Sequence, residues 1–63
     1  MSKVSEALLS IDEALRLGNI TDEISTKLRT YQYKNEEEFN ELYNVAMSLN
    51  NADFNPVALE KFL

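Results

Sequence analysis

Apolar side chains recur along this chain at helical spacing and divide it into four segments. Val4, Leu8, Ile11 and Leu15 follow one another at intervals of four, three and four, a stripe along one side of a helix. Ala7 and Ala14 flank that stripe and leave room for a neighbour to approach closely. Ser2 suits the N-cap, and Gly18 suits the stop, because glycine alone enters the left-handed region without steric cost.

Asn19 or Thr21 then caps a second helix whose first turn carries Asp22 and Glu23. Ile20, Ile24, Leu28 and Tyr31 form its apolar stripe. β-Branched residues and tyrosines between Lys27 and Lys34 offer a strand as the competing reading, but the apolar spacing favours a helix.

The third segment marks both of its ends. Asn35 caps it, and Glu38 stands three residues on, where a capping box places an acceptor. Glu36, Glu37 and Glu38 set negative charge against the positive end of the helix dipole. Asn50 and Asn51 suit a left-handed C-terminal stop. Between them Phe39, Leu42, Tyr43, Val45, Ala46, Met47 and Leu49 cover roughly 200° of the helix circumference at ~100° per residue. An arc that wide predicts a central helix with two or more neighbours.

The last segment starts at Asn55 with Pro56 in the favoured first position. Phe54 and Leu59 have the spacing of a hydrophobic staple, and Val57 and Phe62 are expected to fold back onto the core. The pattern therefore predicts an all-α fold within one domain, residues 1–63. Three main helices, near 3–17, 21–33 and 36–50, and a short one near 56–62 make a small compact bundle.

Length sharpens this expectation. A chain of 63 residues buries only about 60% of its unfolded surface, so its core is marginal. Cysteine and histidine are absent, which removes disulfides and the usual zinc ligands as supports. Close helix packing or self-association has to supply the stability. No apolar run approaches the ~20 residues that span a bilayer. The stretch from Met1 to Glu6 lacks a signal-peptide pattern, because Glu6, Asp12 and Glu13 interrupt any apolar region. The expected location is the cytosol.

Charge is unevenly spread. Of the net −5, residues 1–21 carry −1, residues 22–34 carry +1 and residues 35–63 carry −5. Such a protein is repelled by nucleic acid and drawn to basic surfaces.

Candidate chemistry is sparse. Serines have no histidine base, and one glycine cannot build a phosphate loop. Glu37 and Glu41 share a helix face and form a candidate acidic patch. The histidine that helical metal sites place three residues from a glutamate is missing, so no metal or other cofactor is expected. Gly18-Asn19-Ile20-Thr21 looks like the middle of a calcium loop, yet that register puts Leu15 and Leu17 at ligand positions and Ile24 where the bidentate glutamate belongs.

Two binding readings remain. Leu9, Leu17, Tyr33, Val45 and Met47 fall off the core stripes and form a candidate interface for a protein partner or a second copy of the chain. This reading makes the chain a non-catalytic, acidic interaction or regulatory module that self-associates, with the size of a phage-type inhibitor or accessory factor. The alternative rests on Ala14, Gly18 and Ile24, which fall near helix-turn-helix offsets. There the second helix would offer Ser25, Thr26 and Arg29 to base edges and Lys27 to phosphate. Asp22 and Glu23 at the start of that helix, and the acidity of the whole chain, argue against it.

Overall fold

The computed structural model describes residues 2–63; Met1, which heads the stretch without a signal-peptide pattern, lies outside them. Three α-helices, α1 (Lys3–Leu17), α2 (Asp22–Thr30) and α3 (Glu36–Ser48), precede a 3₁₀ helix over Pro56–Phe62. The all-α bundle is as expected. No helix among the described residues is long and apolar enough to cross a membrane.

Side-chain caps set the helix starts. Ser2, Thr21, Asn35 and Asn55 each accept a hydrogen bond from a backbone N–H two or three residues on. Gly18 ends α1 at φ 81°, and the Asn19 N–H reaches back to the Ala14 carbonyl at 2.9 Å.

Hydrogen bonds fix the relative direction of α1 and α3. Lys3 Nζ donates to Asn40 Oδ1 (3.3 Å), Tyr43 Oη to Glu6 Oε2 (2.9 Å) and Ser10 Oγ to the Ala46 carbonyl (2.7 Å). The pairing climbs both helices together, so they run parallel, with both C-termini at one end. Asn19 Nδ2 to Asn50 Oδ1 (2.9 Å) closes that end. Between the two helices Ala14 and Ala46 are wholly buried, and such small residues permit close approach of the backbones.

The core is one cluster: Ala7, Ile11 and Ala14 of α1, Ile20, Leu28 of α2, Leu42 and Ala46 of α3, Leu49, and Leu59 and Phe62 of the 3₁₀ helix. The molecule exposes 4358 Å², close to the roughly 4,100 Å² expected of a folded monomer of its mass. Its compactness requires no second copy.

Several sequence expectations are corrected. The buried line of α1 is Ala7–Ile11–Ala14 rather than Val4–Leu8–Ile11–Leu15, and Val4 is exposed. One cause is the length of α2. It ends at Thr30 rather than residue 33, and nine residues span only about 13 Å, too short to cover the first turn of α1 from the opposite end. α2 ends early because Tyr31 turns extended (ψ 132°) to set its ring edge-on against Phe62, 5.1 Å away.

Asn50 and Asn51 do not adopt the left-handed conformation; α3 gives way at Leu49, which stays right-handed. Glu38 does not close a capping box on Asn35 but accepts from the Lys34 N–H at 3.0 Å, one residue earlier. Val57 is exposed rather than folded back. With three residues per turn, Leu59 and Phe62 eclipse one another towards the core, while Val57 falls about 120° away. The breadth of α3's apolar arc is explained by α1 on one side and the 3₁₀ helix on the other.

Candidate functional site

The structure divides the candidate interface residues. Leu9 and Leu17 stand in solvent, 55% and 63% exposed, on the side of α1 away from its neighbours. Tyr33 and Met47 are about half exposed, but Tyr33 leans on the Phe39 ring at 5.0 Å. Val45 packs against the core and is partly buried. Four of the five candidate side chains are therefore open to solvent.

The two candidate acidic residues stand one turn apart on α3. Glu41 forms an ion pair with Lys61, pinning the 3₁₀ helix to α3, while Glu37 stays exposed. Glu38 is held too, by the Lys34 N–H and the Tyr31 hydroxyl, and these donors depress its carboxyl below the ordinary range.

Residues assigned to DNA contact are placed in two ways. Ser25 is buried at 3% exposure, and its Oγ accepts from Arg29 Nε at 3.1 Å. Arg29 goes on to pair with Asp12 of α1. Ser25 is thus committed to the α1–α2 junction, while Arg29 spans it and keeps part of its side chain in solvent. Thr26 and Lys27 are exposed, with Lys27 beside Glu23 at 3.6 Å. The sequence offered no signal for the Arg29–Asp12 pairing, since the two lie on different elements.

A feature absent from the sequence reading is a surface cleft of about 420 Å³ at the end where α1 and α3 both terminate. Ile24, Leu49, Phe54 and Leu59 give it an apolar floor, and Asn19, Asn50 and Asn51 stand around it. Its volume is within the range of ligand-binding pockets. Seven asparagines in the sequence invite reading as caps and turn residues, and only the fold gathers three of them here.

The titrating groups predict an alkaline response. The Tyr31 hydroxyl is raised chiefly by hydrogen bonding to Glu38, the Tyr43 hydroxyl by hydrogen bonding to Glu6, and the Lys61 ammonium by Glu41. Each folded-state value lies above the unfolded one, so the linked stability is complete below about pH 10 and is lost as pH rises through the raised values. Helicity followed against pH is expected to decline modestly above pH 10, and Tyr43→Phe is expected to blunt that decline. An unchanged alkaline profile in the variant would remove Tyr43 from the account. Glu38, with its lowered value, contributes in the opposite window: its stability is present above its ordinary value and lost as pH falls through the depressed one.

Among the described residues there is no cluster of three or more acidic side chains arranged to hold a metal ion. Compared with known proteins, the chain matches no family model, no curated protein and no solved structure.

Proposed function

We propose that the protein is a non-catalytic, acidic interaction module of regulatory type, acting by occupying a basic surface of a protein partner. The observation that supports this reading is the division of charge. Lys27, Arg29 and Lys61 are engaged in pairs with Glu23, Asp12 and Glu41. Glu13, Asp22, Glu36, Glu37, Asp53 and Glu60 are exposed and make no ion pair among the described residues. Beyond those ion pairs eight carboxylates stand against Lys3, Arg16 and Lys34, so the remaining charge keeps the net −5 of the whole sequence. Such a surface attracts basic proteins and repels nucleic acid.

The test is capture from the native cell on immobilised protein, with bound proteins identified by mass spectrometry. The expected result is a basic protein retained at low salt and released as ionic strength rises, because exposed pairing is screened over about 10 Å at 0.1 M. Retention of duplex DNA at low salt, with no protein retained, would replace this reading with the helix-turn-helix one.

Self-association through α1 is the second part of the proposal, supported by the exposure of Leu9 and Leu17. Light scattering of the wild type is expected to give a mass above 7.2 kDa, and Leu9→Lys with Leu17→Lys is expected to return it to that value with helicity intact. A wild type already at the monomer mass refutes self-association and leaves the partner-binding proposal standing.

A further inference from the structure

We infer that the 3₁₀ helix Pro56–Phe62 is a strap over α3 that opens as a unit of its own. A latch of four side chains, Tyr31, Glu38, Glu41 and Lys61, holds it shut while the two glutamates carry their charge.

The strap is a separate unit because of what it touches. α1 packs on both α2 and α3, whereas the 3₁₀ helix has its main contact with α3. Seven residues do not hold a helix without tertiary contacts, and the poorer hydrogen-bond geometry of a 3₁₀ helix weakens it further. Two buried side chains, Leu59 and Phe62, anchor it, and its other five residues are exposed. Residues 50–53, between α3 and the strap, are exposed as well and give it a hinge. Segments with so few buried contacts open at a lower free energy than the whole domain.

The latch lies where three elements meet. Tyr31, at the end of α2, sets its ring edge-on to Phe62 at 5.1 Å and donates its hydroxyl to Glu38 of α3. Glu38 also accepts from the Lys34 N–H at 3.0 Å. Glu41, three residues further and on the same side of α3, pairs with Lys61 of the strap. The titratable groups face one another across the elements. Glu38 meets Tyr31, Lys34 and Lys61, and Lys61 meets Glu41, Glu38 and Tyr31.

Both tethers end on a carboxylate, so they share one dependence. Phe62 leans on a ring whose hydroxyl is held by Glu38, and Lys61 beside it is held by Glu41. Neutralising the two glutamates removes the charge that strengthens each bond and leaves Leu59 and Phe62 alone to hold the strap. The depressed carboxyl of Glu38 gives the direction. Its share of the latch is complete above the ordinary carboxylate value and is lost as pH falls through the depressed one. Opening exposes Leu59, Phe62 and the side of α3 that carries Glu41, while α1, α2 and α3 stay packed.

The test is amide exchange followed by NMR, with each rate divided by its intrinsic value, in the wild type and in Glu38→Gln with Glu41→Gln. Glutamine keeps the shape of each acceptor and drops its charge. Comparison at one neutral pH leaves the Glu6–Tyr43 and Asp12–Arg29 contacts unchanged. The expected result is an opening constant roughly tenfold higher across residues 58–62, a few-fold from each tether, with α1 unaffected. Glu36→Gln with Glu37→Gln removes two charges from the same helix outside the latch and is expected to leave the strap as it was. Acidifying the wild type is expected to reproduce the acceleration, and the latch variant to lose most of that acid response. Strap and α1 accelerating together in the latch variant would make them one cooperative unit and overturn the strap. No acceleration in that variant, equal acceleration in the Glu36 and Glu37 variant, or an acid response that persists in full would each overturn the latch.

Discussion

Ile11→Ala is expected to leave the protein largely unfolded. Ile11 is the largest side chain to be essentially sealed from solvent, and it sits at the centre of the buried line of α1. Truncating a buried isoleucine to alanine costs about 2–5 kcal/mol, the upper part arising where the cavity cannot collapse. Collapse is hindered here because Ala7 and Ala14 above and below already hold the helices close. A domain of 63 residues has a total stability of about 3–9 kcal/mol at ~0.05–0.15 kcal/mol per residue. The substitution therefore removes a large share, and at the low end all of it. Urea denaturation followed by circular dichroism measures the loss. Ile11→Val, which leaves most of the volume, is expected to cost only about 0.5–1.5 kcal/mol. A cost for Ile11→Ala no larger than for Ile11→Val would move the centre of the core away from α1.

Helix starts were legible because their chemistry is local. Ser2, Thr21, Asn35 and Asn55 each cap with their own side chain, and Gly18 stops α1 with its own backbone. Faces and far ends were less legible because neighbours decide them. The spacing of Val4, Leu8, Ile11 and Leu15 is a true helical stripe, but periodicity weights large residues and discounts alanine. The close approach of α3 depends on Ala7, Ala14 and Ala46, so the buried side rotates towards the small residues. The end of α2 is set by Tyr31, whose ring serves Phe62 and whose hydroxyl serves Glu38. Neither demand is visible within the α2 segment itself.

The same distinction governs the candidate site. Charged residues can be counted from sequence, but whether a charge is available depends on pairing between elements. Arg29 with Asp12 and Lys61 with Glu41 consume two of the six basic side chains in bonds across the bundle. The cleft is less legible still. Its lining comes from the α1–α2 turn, the first turn of α2, the segment after α3 and the 3₁₀ helix. The meeting of the α1–α2 turn with the segment after α3 depends on α1 and α3 being parallel, which no local pattern encodes.

Phe62→Ala is expected to be at least as damaging, and it tests what covers the wide apolar arc of α3. Phe62 is buried near the end of the chain and meets Tyr31 edge-on at 5.1 Å. Loss of a buried phenylalanine costs about 3–5 kcal/mol, and an edge-on aromatic pair contributes about 0.5–1.5 kcal/mol beyond its area. The effect has two routes. Either the whole domain unfolds, or the 3₁₀ helix detaches and uncovers the side of α3 that carries Glu41. Amide exchange separates them: global unfolding accelerates every protected amide, whereas detachment accelerates residues 56–62 and α3 ahead of α1. Val57, five residues earlier on the same segment, is 62% exposed, and Val57→Ala is expected to stay within about 0.5 kcal/mol. Because both substitutions shorten an apolar side chain in one short helix, their difference reports burial and not helix propensity. A small and equal cost for the two would mean that the C-terminal segment does not cover α3, and that α3 must find its second cover in another molecule.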